Sequence, residues 1–184
     1  KNLLITFHPV TLEHSTSAHQ MGELLTALEK LEGTNMIFTM PNADTDGRIL
    51  FQMIEKFVAK NPFAKAFTSL GQLRYLSCIK YVDGVVGNSS SGLTEVPSLA
   101  KGTINIGDRQ QGRIKAESVI DCKPTTKSIS DAIKKLYSLE FQQKLKAVKN
   151  PYGSGGASEA IVKTLENISL KNILKKKFYN MVIS

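Results

Sequence analysis

Gly84-Val85-Val86-Gly87-Asn88-Ser89-Ser90-Ser91-Gly92-Leu93-Thr94-Glu95 decides how this chain folds. Gly84–Gly87 has no polar break and reads as a buried strand. The stretch from Gly92 to Leu99 reads as a helix, so the passage is strand, small-residue loop, helix. Glycines at 87 and 92 let the backbone turn sharply and let a bulky anion come close. The serine hydroxyls would add donors to the free N–H groups at a helix N-terminus, where the dipole favours a phosphate. The competing reading is a serine-rich helix cap. Six consecutive small or polar residues, Gly87 to Gly92, exceed what a cap needs. Neither a P-loop lysine motif nor a Gly-x-Gly-x-x-Gly pattern is present.

Outward from this loop, short apolar runs alternate with amphipathic stretches, the pattern of repeated βα units. Leu3–Phe7, Asn35–Met40, Ala64–Thr68, Thr103–Ile106 and Ser118–Asp121 read as further strands. Helices are expected over Ser15–Leu31, Asp44–Ala59, Gly71–Ile79 and Lys127–Tyr137. Parallel strands need crossover helices, and right-handed crossovers give a Rossmann-like, doubly wound α/β fold. Ligands in such sheets bind beyond the carboxyl ends of the strands. That rule singles out His8, Asn42, Leu70, the serine loop and Asp108-Arg109.

The 184 residues suffice for one domain with a real core. The chain lacks Met at position 1 and enters a strand almost at once, so it reads as a piece of a longer protein. No apolar run reaches bilayer length, and the start is too short for a secretory signal. Cys78 and Cys122 have no metal or redox spacing, and reduced thiols in a cytoplasmic setting are expected. The three histidines share no metal-ligand spacing either, so no zinc site is expected. The net charge of +8 favours anionic partners, yet the lysines are dispersed and there is no Trp. Nucleic acid is therefore not the expected partner, and a phosphate-bearing small molecule explains the sign equally well.

Near the serine loop, Glu95 is placed to bridge the two hydroxyls of a ribose. Its alternative is a favourable charge in the first turn of a helix. Arg109 follows a strand at the same sheet edge, where its fork suits phosphate oxygens, and Arg113 is either a second contact or a surface charge. His8 ends the first strand beside Pro9 and reads as a phosphate donor, a general acid or a structural histidine. Asn150 to Glu159 is a glycine-rich turn feeding another helix, an anion contact or a hinge.

Five motifs in order carry a resemblance. They are Thr6-Phe7-His8-Pro9, Pro41-Asn42, Gly87 to Gly92 with Glu95, Gly107-Asp108-Arg109-Gln110-Gln111-Gly112-Arg113, and Asn150-Pro151-Tyr152-Gly153. Together they resemble the UDP-N-acetylglucosamine 2-epimerase family, in particular its hydrolysing branch. Non-hydrolysing relatives have two arginines after the histidine and Asp-Ser-Gly-Gly in the loop; Pro9 and Asn88-Ser89-Ser90-Ser91 depart from both.

The resemblance implies a glycosyltransferase-B fold whose C-terminal, UDP-binding half is this chain. It implies that Ser89, Ser90 and Gly92 hold the diphosphate, Glu95 the ribose and Arg109 the phosphates. Asn42 and the backbone around Leu70 would lie near the nucleotide, and His8 in the cleft. No cofactor is implied; UDP is ligand and product. An N-terminal domain of the same polypeptide would carry the acidic catalytic residues, and a homo-oligomer is expected. Residues 1–164 would form the UDP-binding domain, and 165–184 a helical tail crossing back to the other half. UDP would leave from C1 as the C2 proton is lost, and water would add to the resulting glycal. The competing readings are a hydrolysing epimerase that acts on UDP-N,N'-diacetylbacillosamine, a glycosyltransferase of the same fold, or a non-enzymatic binder of nucleotide sugar or nucleic acid.

Overall fold

A computed structural model describes residues 1–10, 16–41 and 47–171. The chain divides into a compact unit, Lys1–Tyr152, and a second unit beginning at Gly153. Within the first unit, strands β1 (Asn2–Thr6), β2 (Asn35–Thr39), β3 (Ala64–Phe67), β4 (Gly84–Gly87), β5 (Gly102–Ile106) and β6 (Val119–Cys122) form one sheet. Their order is β3-β2-β1-β4-β5-β6, and every pairing is parallel. This is the doubly wound order, with its switch point between β1 and β4.

The period of two along each strand sorts the core onto two faces. Leu3 and Ile5 of β1 and Val86 of β4 pack beneath helices α1 (Thr16–Glu29), α2 (Gly47–Lys60) and α5 (Thr126–Leu136). Leu4 and Val85 point the other way, against Ile79 of α3 (Gly71–Tyr81) and Val96. In α1, Met21, Leu24 and Leu28 are fully buried at helical spacing. Each such side chain contributes about 1.5–3 kcal/mol of burial. α5 is started by Thr125, whose hydroxyl accepts from the Ser128 N–H.

Two expectations change, and a third falls partly outside the described residues. The second helix is seen over Gly47–Lys60, and the expected start at Asp44 lies outside the described residues. The helix expected over Gly92–Leu99 is two short pieces, α4 (Ser91–Thr94) and a 3-10 turn over Val96–Leu99. Pro97, at the start of that turn, lacks the N–H a continuous helix would need. An unanticipated helix, α6 (Leu139–Leu145), is capped by Ser138 and buries Phe141 and Leu145.

In the second unit, helix α7 (Ala157–Asn167) starts after Gly156 and buries none of its residues. The helix stops at Asn167 and Ile168 is extended; most of the tail expected over 165–184 lies outside the described residues. Leu165, Ile168 and Leu170 are exposed. The remaining apolar residues of that stripe, Ile173, Leu174 and Phe178, lie outside the described residues.

Candidate functional site

Parallel pairing of β1 with β4 sets Thr6 opposite Gly87, so the loops after these two strands meet at the switch point. Asn88 joins them. Its side chain is fully buried; Oδ1 accepts from the His8 N–H at 2.7 Å, and Nδ2 donates to the His8 carbonyl at 2.8 Å. The Asn88 N–H donates to the Thr6 carbonyl, and the Asn88 carbonyl accepts from Arg109 Nη1 (3.1 Å) and Gln110 Nε2 (2.8 Å). One residue thus ties the ends of β1 and β4 to the loop after β5. Buried amides of this kind rigidify only when their hydrogen bonds are satisfied, and here they are.

The serine loop rises from this hub. Ser90 is the residue before α4, yet its side chain caps nothing, and the Ser89 hydroxyl takes only a long 3.4 Å bond from the Ser91 N–H. The serines are therefore not consumed as a helix cap. The N–H groups of Gly92 and Leu93 are used, by the Ser89 and Ser90 carbonyls. Among the described residues, the N–H groups of Ser89 and Ser90 donate to nothing. Two adjacent free N–H groups beside two half-buried hydroxyls make a cradle for an anion. With α4 only four residues long, a macrodipole adds little; the donors are local.

The packing around the two glycines gives a further reason for them. A Cβ on Gly87 would stand 1.9 Å from the Thr6 carbonyl oxygen, and its φ of 149° suits glycine. A Cβ on Gly92 would stand 2.5 Å from Thr103 Cγ2. Gly92 is buried, its N–H is taken, and its carbonyl accepts from the Thr103 hydroxyl at 2.8 Å. At both positions the neighbouring protein leaves no room for a Cβ.

Glu95 is exposed at the junction of α4 and the 3-10 turn, one turn past the loop. Arg109 is exposed too; Nη1 is spent on the Asn88 carbonyl, which leaves its remaining donors for an oxyanion. Leu70 precedes α3 after β3, half-buried in the smaller core cluster. Asn42 lies outside the described residues, as does His14.

Sequence reasoning quoted Gln110 only as a member of a motif and passed over Tyr75. Gln110 is 2% exposed and stands next to Arg109 in the Gly-Asp-Arg-Gln-Gln-Gly run. Tyr75 of α3 is pushed up from the ordinary tyrosine range by burial. Its hydroxyl lies close to Ser91 and Thr6, but neither it nor the Ser91 hydroxyl makes a hydrogen bond of ordinary geometry among the described residues. A cavity of about 440 Å³ opens farther along the same sheet edge, against Gln20, Asp108, Asp121 and Lys123. It holds none of the free donors of the serine loop, which remains the better anion site. Among the described residues no group of three His, Cys, Asp or Glu side chains is placed to hold a metal ion, and no helix is long and apolar enough to cross a membrane.

An open parallel sheet with ligand loops at its switch point defines one half of a glycosyltransferase-B type protein. Solved structures agree: S. aureus MnaA in its UDP co-structure superposes with TM-score 0.73 at 17% identity, over 96% of this chain and 47% of that one. The UDP-GlcNAc 2-epimerase of Neisseria meningitidis bound to UDP-GlcNAc superposes with TM-score 0.65 at 20% identity, over 91% and 44%. The family model for UDP-N-acetylglucosamine 2-epimerase matches residues 1–166, and the chain belongs to that family. It is 40% identical over 180 residues to the GDP/UDP-N,N'-diacetylbacillosamine 2-epimerase (hydrolyzing) of Campylobacter jejuni, covering 97% of this chain and 46% of that protein. It is 37% identical over 180 residues to the polysialic acid biosynthesis protein P7 of Escherichia coli, again 97% and 46%. The chain spans about half the length of these relatives.

Proposed function

We propose that this chain is the UDP-binding half of a hydrolysing 2-epimerase that converts UDP-N-acetylglucosamine to N-acetylmannosamine and UDP, for sialic acid synthesis. The observation that carries the reading is the pair of free N–H groups at Ser89 and Ser90, in a chain of this family. In the reaction UDP leaves C1 as the C2 proton is removed, a glycal forms, and water adds to give the free epimerised sugar. Negative charge grows on the departing diphosphate, and donors already fixed in place stabilise it without reorganisation. Ser89, Ser90 and Arg109 are the groups assigned to that task, Glu95 to the ribose, and His8 to the cleft side. Asn42 and the backbone at Leu70 complete the nucleotide's surroundings in this reading.

The C2 base is assigned to sequence beyond this chain, in an N-terminal domain, and so is most sugar recognition. The exposed stripe Leu165, Ile168 and Leu170 is assigned to contact with that domain. The Campylobacter relative's name supports a second reading, with UDP-N,N'-diacetylbacillosamine as substrate. Incubating the complete enzyme with each UDP-sugar and measuring free sugar and UDP decides between them. Release of UDP only when an acceptor is added would replace both readings with glycosyl transfer. No free sugar from either substrate sinks the proposal.

A further inference from the structure

We propose that Asn150 is a positioning residue for Glu95; this rests on the UDP reading above. The turn Asn150-Pro151-Tyr152-Gly153 is remote in sequence from the serine loop but is tied to its far end. Asn150 Nδ2 donates to the Thr94 carbonyl and to the Ser98 hydroxyl, each at 2.7 Å. These acceptors lie on either side of Glu95, at the last residue of α4 and within the 3-10 turn. The Tyr152 N–H donates to Asn150 Oδ1 at 2.9 Å, which fixes the amide with its NH2 toward the two acceptors. The Tyr152 hydroxyl donates to the Ile114 carbonyl at 3.0 Å, anchoring the turn to the loop after β5.

Glu95 needs such a brace. Its residue is where an α-helical turn gives way to a 3-10 turn, with φ −109° and ψ −44°, and its side chain is exposed. The local backbone bonds are Glu95 N–H to Ser91 and Ser98 N–H to Glu95, one in each helical sense. The direction of the carboxylate follows from how these two turns meet, and Asn150 spans the meeting point. Only a side chain with two donors on one atom and an acceptor beside them serves here. An aspartate in its place offers no donor to either acceptor.

The test is equilibrium titration of the chain with UDP and with 2′,3′-dideoxy-UDP, which lacks the ribose hydroxyls assigned to Glu95. Asn150→Ala and Asn150→Asp are each expected to weaken UDP binding about tenfold, a coupling ordinary for residues in one network. Ser98→Ala, at an exposed position, is expected to lose about threefold without disturbing the fold. In a Glu95→Ala background, and toward the dideoxy nucleotide, each substitution should cost less than about twofold. An equal loss in both backgrounds, or undiminished UDP affinity in all three variants, overturns the positioning role. If the unsubstituted chain binds no UDP, the nucleotide reading itself falls and the proposal falls with it.

Discussion

Gly92→Ala tests what the serine loop's second glycine is for. The added methyl would begin 2.5 Å from Thr103 Cγ2, over 1 Å inside ordinary carbon contact. Thr103 is 3% exposed and cannot swing away without breaking its 2.8 Å bond to the Gly92 carbonyl. Overpacking of this kind costs about 1–3 kcal/mol, and the lost hydrogen bond about 1 kcal/mol. Gly92 has no positive φ, so alanine meets no backbone strain and returns about 1 kcal/mol through helix propensity and a less free unfolded chain. The net expectation is a loss of about 2 kcal/mol. For a protein of this size that lowers the midpoint of thermal unfolding by about 4–8 °C, readable by calorimetry. Thr103→Ser removes the offending methyl and keeps the hydroxyl, so Gly92→Ala/Thr103→Ser should recover most of the loss, a coupling that independent sites would not show. An unchanged midpoint in Gly92→Ala, or no recovery in the double variant, refutes the packing account. A stable double variant that has lost UDP affinity would return Gly92 to the ligand.

Gln110→Ala removes one of two donors to the Asn88 carbonyl and should cost about 1 kcal/mol in urea unfolding; a neutral variant would show that Arg109 alone holds the loop. Glu23 accepts from the Thr126 N–H and, at 2.7 Å, from its hydroxyl, and these bonds hold its carboxyl below the ordinary range. The unfolded chain therefore takes up this proton at higher pH than the folded one. The stabilisation is complete above the ordinary carboxylate range and is lost as pH falls through the lowered folded value. Urea midpoints for Glu23→Gln should accordingly lose less on acidification than those of the parent, and parallel profiles would count against it. Burial, with the charge of Asp121 beside it, pushes the Cys122 thiol up to about 12, so roughly one thiol in ten thousand is ionised at pH 8. Alkylation of Cys122 should be slow until urea is added; fast labelling of the folded chain would contradict the burial.

All six strands were legible because continuous apolar runs such as Leu3–Phe7 and Gly84–Gly87 leave no other period to follow. Pro97 was in plain view, and its missing N–H is why the helix behind the serine loop divides. α6 was missed because a seven-residue helix with two inward positions, Phe141 and Leu145, offers too little periodicity. The serine loop was legible as the link between a strand and a helix, but the packing that requires its glycines was not. Thr6 stands on β1 and Thr103 on β5, and only strand pairing and the packing of α4 on β5 bring them against Gly87 and Gly92. Asn88 looked like one more small polar residue; its partners are 80 and 22 positions away, beyond any local signal. Asn150 was visible as part of a motif, but its grip on Thr94 and Ser98 is a fact of tertiary structure.

The two bonds between Asn88 and His8 close a loop of 80 residues across the middle of the sheet. Three strands lie on one side of that seam and three on the other. A chain that has folded only its first three strands has no cradle, and one that has folded only its last three has the donors without the ties to Thr6 and His8 that hold Asn88. Whatever occupies the site therefore binds best where that seam is closed and adds its binding free energy chiefly to the finished sheet. At a hundredfold excess over Kd that is about 2.7 kcal/mol. A bound nucleotide would act as an inspector of completed molecules, sparing them from proteolysis while half-joined chains are cleared.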